Sequence, residues 1–189
     1  DHHVRADRLD LGDELRELMN SMQDEIKRMS GIVTQLKDYS KPETRADERV
    51  SVDEVLKGYP LKILIKNMKK KGIEFKMDLD AGKCYTRISR NRLIQVLMNL
   101  LNNADESIEH KEKGVISIKT SRIDRNGPHI AIVIVDNGTG IDRENIHRIF
   151  EPFFTTKKSE GTGLGLSISY SIVKSYDGEI EVKSDGGSG

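Results

Sequence analysis

The sequence predicts an α+β fold, a two-layer sandwich with a mostly antiparallel sheet, preceded by one long helix. Three observations carry that prediction. Residues 11–40 hold one narrow apolar stripe at helical spacing. Beyond residue 50, helical periodicity interleaves with short strand-like segments, of which Ile73 to Leu79 alternates strictly. Asn126-Gly127, between two apolar strand-like runs, marks a hairpin, whose strands are antiparallel.

The first helix places Leu11, Leu15, Leu18, Met22, Ile26, Met29, Val33 and Leu36 on one stripe, in steps of three and four with two fours adjoining at Met22. That rhythm suits a coiled-coil or bundle seam with a stutter. No second helix lies within the segment, so the seam is expected to pack on a helix from this chain or another; packing on the domain's own core is the alternative. Lys41 to Arg49 is polar, contains Pro42 and reads as a linker. The expected organisation is therefore a helix over 1–42, a linker over 43–50 and a main domain over 51–189.

Ser51 with Glu54 has capping-box spacing and opens a helix to about Lys71, kinked or delayed at Pro60 and stopped by Gly72. The run Lys66 to Lys71 reads as the basic C-terminus of that helix. Ile73 to Leu79 alternates as a half-buried strand, and Cys84 to Ile88 is a short one. Arg90 to about His110 is a helix with Leu93, Val96, Leu97, Leu100, Leu101 and Ala104 on its apolar face. Val115–Thr120 and Ile130–Val135 are the hairpin strands, Leu164 to Ser175 a helix, and Glu179 to Lys183 a last strand.

Composition narrows the function. The chain has 189 residues, 31 basic and 31 acidic, with no net charge, which argues against nucleic-acid binding. Charged residues make up 33%, against ~25% in typical domains. The single Cys84 excludes an internal disulfide framework and a Cys-based zinc site, and fits a reducing, cytoplasmic setting. No apolar run approaches the ~18 residues of a membrane span, so no membrane contact is expected within the chain, and Asp1 to Arg5 carries no signal-peptide pattern.

Four segments carry chemistry. In Asn99-Leu100-Leu101-Asn102-Asn103-Ala104, Asn99 and Asn103 are four apart and share a helix face beside core Leu residues. An amide oxygen suits Mg²⁺; taken alone, the segment reads first as satisfied surface amides on a helix. Asp136-Asn137-Gly138-Thr139-Gly140-Ile141 puts a carboxylate at a strand end, with glycines that admit a ligand close to the backbone. The exocyclic amine of adenine would be a partner for that acid; an ordinary turn with a capping Asp is the alternative. Phe150-Glu151-Pro152-Phe153-Phe154 gathers three of the four Phe residues, to anchor a mobile loop from which Lys157 or Lys158 would reach phosphates. Gly161-Thr162-Gly163-Leu164-Gly165-Leu166-Ser167 leads into a helix, where backbone N–H groups and the helix dipole favour an anion. It is neither a dinucleotide fingerprint nor a Walker loop, lacking the preceding strand of the one and the Lys-Ser/Thr pair of the other.

In this order the four segments resemble the N box, first glycine box, F box and second glycine box of the GHKL ATPase superfamily, and within it the catalytic ATP-binding domain of sensor histidine kinases. The resemblance runs from about Ser51 to the C-terminus and implies the Bergerat-type sandwich. It implies ATP and Mg as cofactors, with Asn103 on the metal, Asn99 on the phosphate side and Asp136 accepting from adenine N6. Gly140 would give the base room. Lys157, Thr162, Gly163, Leu164 and Gly165 would form the lid and phosphate cradle, with Gly138, Ile141, Phe150 and Leu166 completing the nucleotide set. The catalytic residues on this reading are Asn99, Asn103 and Lys157. The short lid resembles that of nitrogen-regulator kinases. Asp24 to Pro42 resembles the second helix of the dimerisation and phosphotransfer hairpin, which implies a homodimer through that helix and a response regulator as partner.

The family's acceptor histidine is followed by an acid and then Asn/Thr-Pro. None of His2, His3, His110, His129 or His147 has that context, so the acceptor is expected outside this chain. Ser89-Arg90-Asn91 stands where members often carry an Asp, and the Thr-x-Phe strand that follows the last glycines in the family has no counterpart before Gly189. Two other functions compete. A hydrolysing GHKL ATPase uses a Glu at the start of the N box; Asn99 stands there, and an amide is no general base. The other is a non-catalytic nucleotide-binding dimerisation module.

Overall fold

The computed structural model describes residues 15–16, 18–23, 25–26, 29, 49–79, 85–108, 113–124, 127–156 and 161–185. The chain divides into two units, Asp1–Pro42 and Glu43–Gly189. In the first, the described residues between 15 and 29 are helical, and Leu15, Leu18, Met22, Ile26 and Met29 are 53–60% exposed. Met19, off the predicted stripe, is equally exposed. The remaining seam positions, Leu11, Val33 and Leu36, and the linker up to residue 48 lie outside the described residues.

The second unit runs β1 (Val50–Ser51), α1 (Val52–Lys57), α2 (Leu61–Lys70), β2 (Glu74–Leu79), β3 (Tyr85–Thr86), α3 (Arg90–Ser107), β4 (Val115–Asp124), β5 (Pro128–Asp136) and α4 (Gly165–Ser175). The single helix expected from Ser51 to Lys71 is two helices. Ser51 caps the first by accepting from Glu54 N, and the chain restarts at Pro60, which is the N-cap of α2. Proline has no N–H for the ladder and its ring clashes with the preceding turn, so a full break replaces a kink. Lys69 and Lys70 end α2 as expected, and Lys71 pairs with the mostly buried Asp105 of α3 at 2.6 Å.

The main sheet has the order β2-β4-β5. β4 and β5 are antiparallel with Ile118 opposite Ile134, while β2 and β4 are parallel with Phe75 opposite Ile116. β1 and β3 form a separate antiparallel pair. One sheet face is covered by α1, α2 and α3. Leu56, Leu61, Met68, Leu97, Leu101, Ile116 and Ile118 are all fully buried there, against Phe75, Ile132 and Ile134. The other face is open, with Val133 and Val135 exposed. Thr120, fully buried in β4, donates from Oγ1 to Asp53 Oδ1 at 3.3 Å and so ties the sheet to α1.

The strand expected over Glu179–Lys183 joins neither sheet among the described residues. Its side chains still alternate, with Ile180 and Val182 half-buried and Glu179, Glu181 and Lys183 exposed. Alternation records one covered face; a strand also needs a backbone partner, which alternation does not encode.

Candidate functional site

Helix α3 presents two stripes. The apolar one fills the core; beside it Asn99, Asn103 and Ser107 follow one another at intervals of four and therefore share a face. The two ends of the polar stripe are bonded to different segments, one to helix α4 and the other to the loop after β5. Asn99 Nδ2 donates to Gly165 O at 3.0 Å and to Ser169 Oγ at 3.2 Å, and Ser169 Oγ donates in turn to Gly165 O at 2.8 Å. The amide nitrogen of Asn99 thus pins the first turn of α4 to α3. Asn103 is half-buried, and its side chain has no hydrogen bond among the described residues.

At the far end, Ser107 Oγ lies 2.9 Å from Asp136 Oδ1, and Thr139 N donates to Ser107 O at 3.0 Å. Gly138 N also donates to Asp136 Oδ1 at 2.9 Å. A Cβ at Gly138 would overlap Ser107 Oγ, so only glycine lets this loop lie flush on the helix. Asn137 holds the loop from the other side: its Oδ1 accepts from Val115 N at 2.7 Å and its Nδ2 donates to Lys113 O at 2.9 Å. Gly140 takes φ +73°, and Ile141 N donates to Ser184 Oγ at 2.8 Å.

The phenylalanines behave differently from one another. Phe150 packs on Tyr170 of α4 with ring centroids 5.1 Å apart, and Phe154 lies under the Arg148 guanidinium at 4.4 Å. Phe153 is 65% exposed, so it is not part of the expected anchor. Its φ of +67° is strained for a side chain of this size. Phe153 N donates to Gly163 O at 3.0 Å; Gly163 has φ +66°, and a Cβ there would overlap the Phe153 carbonyl carbon. Residues 142–151, which carried no expected element, form hydrogen-bonded turns such as Ile149 N to Asn145 O at 3.1 Å, with Ile149 buried.

Leu164 N donates to Thr162 Oγ1 at 3.4 Å, and Leu164 is the N-cap of α4, where no side chain caps the helix. Leu166 is half-buried in the first turn. Lys157 and Lys158 lie outside the described residues.

The four segments are therefore joined pairwise: the Asn99 segment to the second glycine segment, the Asp136 segment to the end of α3, and the Phe segment to Gly163. This donor and acceptor set fits a purine nucleotide with its metal. Asp136 is exposed and its Oδ2 has no partner among the described residues, Asn103 has an uncommitted amide, and α4 presents a helix N-terminus without a side-chain cap. Sequence reasoning missed Ser107 and Ser169. Continuing the four-residue interval from Asn99 and Asn103 reaches Ser107; no sequence signal marks Ser169.

Residues 88–189 match the family described as Histidine kinase-, DNA gyrase B-, and HSP90-like ATPase. The chain is 32% identical over 184 residues to Sensor histidine kinase ZraS of Escherichia coli (strain K12), covering 97% of this chain and 38% of that protein. The catalytic domain of histidine kinase ThkA superposes with a TM-score of 0.59 at 30% identity, over 68% of this chain and 80% of that one. ThkA in complex with response regulator protein TrrA gives 0.67 at 26% identity, over 90% of this chain and 48% of that one.

Proposed function

The chain belongs to the family of histidine kinase-, DNA gyrase B- and HSP90-like ATPases, with a catalytic domain of the histidine kinase type, and from that premise we propose that it is the ATP-binding part of a sensor histidine kinase. It would transfer the γ-phosphoryl of ATP to a histidine outside this chain, and onward to a response-regulator aspartate. The observation that carries the reading is the pairwise joining of the four segments, two of the links through α3 and one between Phe153 and Gly163, which leaves Asp136 Oδ2, Asn103 and the α4 N-terminus as ligand groups.

Asp136 would accept from the adenine amine, with Gly138, Gly140 and Ile141 lining the base and Phe150 beneath the lid. Thr162, Gly163, Leu164, Gly165 and Leu166 would present N–H groups to the phosphates, joined by Lys157. Asn103 would hold Mg²⁺ through its amide oxygen, and the metal would neutralise charge developing on the phosphates. Asn99 supports the cradle from behind, since its nitrogen is spent on Gly165 and Ser169; its oxygen is the atom it would offer to the phosphate side. With an amide at 99, this chain has no carboxylate there to activate water, which favours transfer over hydrolysis.

The exposed stripe Leu15, Leu18, Met22, Ile26 and Met29 supports a homodimer through the first helix. No described helix is long and apolar enough to cross a membrane, and we place this part of the protein in the cytoplasm, where ATP and a response regulator are available.

Titration of magnesium and ATP into the chain by calorimetry is expected to give saturable heat, with negligible phosphate release on prolonged incubation. No heat at high protein concentration overturns the reading; rapid steady phosphate release favours the hydrolase.

A further inference from the structure

We propose that Ser107 is a positioning residue that makes the base pocket selective for an exocyclic amine, acting through Asp136. The inference rests on Asp136 being the base acceptor, as proposed above. Ser107 Oγ has two acceptors within reach, Ala104 O at 2.8 Å and Asp136 Oδ1 at 2.9 Å, and one proton to give. The carboxylate is the stronger acceptor, because a hydrogen bond to an ionised group is roughly twice as strong as a neutral one. Gly138 N donates to the same oxygen at 2.9 Å.

One carboxylate oxygen therefore holds two donors, and Oδ2 is left as the open acceptor. Rotation of the carboxylate would forfeit both bonds. Thr139 N to Ser107 O at 3.0 Å, and the lack of room for a Cβ at Gly138, keep the loop against the serine, so the donor and the acid move together. A ligand N–H meets a fixed acceptor at Oδ2. A ligand carbonyl there meets an acceptor with no proton between them, which is unfavourable. Without the Ser107 hydroxyl, Oδ1 keeps one donor and the carboxylate gains freedom to turn, so the amine loses a preset partner.

The test compares ATP with purine riboside triphosphate, which carries hydrogen in place of the amine, by calorimetry on the full chain in magnesium buffer. Ser107→Ala is expected to weaken ATP about tenfold and purine riboside triphosphate by less than about twofold. The melting temperature without nucleotide is expected to stay within about 3 °C. Asp136→Ala, measured alongside, separates the two readings. If it leaves ATP affinity intact, Asp136 is not the base acceptor and the proposal falls with that reading. If Asp136→Ala weakens ATP while Ser107→Ala does not, or if Ser107→Ala weakens both nucleotides alike, the Ser107 proposal is overturned and the Asp136 reading stands. Should Ser107→Ala lower the melting temperature further, Ser107→Cys, matched in size with a weaker donor, is judged by the same affinity ratio; a ratio equal to that of the unaltered chain overturns the proposal.

Discussion

The apolar and polar stripes of α3 run side by side and are tied to different things. Leu93, Leu97, Leu101 and Ala104 are 0–3% exposed and meet many neighbours from α1, α2 and the sheet. Asn99 reaches the first turn of α4 and Ser107 the loop after β5 through a few directional bonds, and Asn103 between them reaches none among the described residues. Core packing spreads its energy over many weak contacts. The polar stripe concentrates its effect in single hydrogen bonds that fix where a loop sits. One helix thus separates the stability of the fold from the geometry of the site, and substitutions on the two stripes should fail in different assays.

The largest effect belongs to the apolar stripe. Leu101→Ala leaves a cavity in the core cluster and is expected to cost about 2–5 kcal/mol in urea unfolding. ATP affinity per folded molecule should be unchanged; a large loss of affinity in the folded fraction would show that the stripes are coupled. Asp136→Asn should do the reverse. Gly138 N–H requires an oxygen, so the Asn amide nitrogen takes the open position and faces the adenine amine, donor to donor. ATP binding is expected to weaken by about 2–3 kcal/mol in calorimetry, with unfolding shifted by less than about 1 kcal/mol. Unaltered binding would remove Asp136 from the site.

The same contrast decides what was legible in the sequence. The core of α3 and the β4–β5 hairpin could be read directly, because periodicity and Asn-Gly turn chemistry act through neighbours in sequence. Pro60 was legible as a disturbance, but its size was set by how the chain repacks around it. Whether Glu179–Lys183 pairs depends on a partner distant in sequence, which alternation alone does not name, while the turns of 142–151 are closed by local bonds such as Ile149 N to Asn145 O that leave no periodic pattern. Within the site, the glycines were visible as glycines, while the reason for Gly138, contact with Ser107, needs the fold. Phe153 looked like one of three equivalent aromatics, and it is the one held outside by its left-handed backbone.

The smallest effect is expected at Ser169 of α4, the buried partner of the Asn99 end of the polar stripe. This hydroxyl is fully buried, accepts from Asn99 and donates to Gly165 O. Ser169→Ala removes the acceptor of one Asn99 Nδ2 hydrogen but leaves the other its bond to Gly165 O at 3.0 Å, so the amide stays docked on α4. The loss should be about 1 kcal/mol in urea unfolding, with ATP affinity changed by less than about threefold. If affinity instead falls by more than stability does, the Asn99 end of the polar stripe serves the nucleotide through the orientation of its amide rather than the docking of α4. The hydroxyl would then matter because it keeps the amide nitrogen toward α4 and the oxygen on the other side.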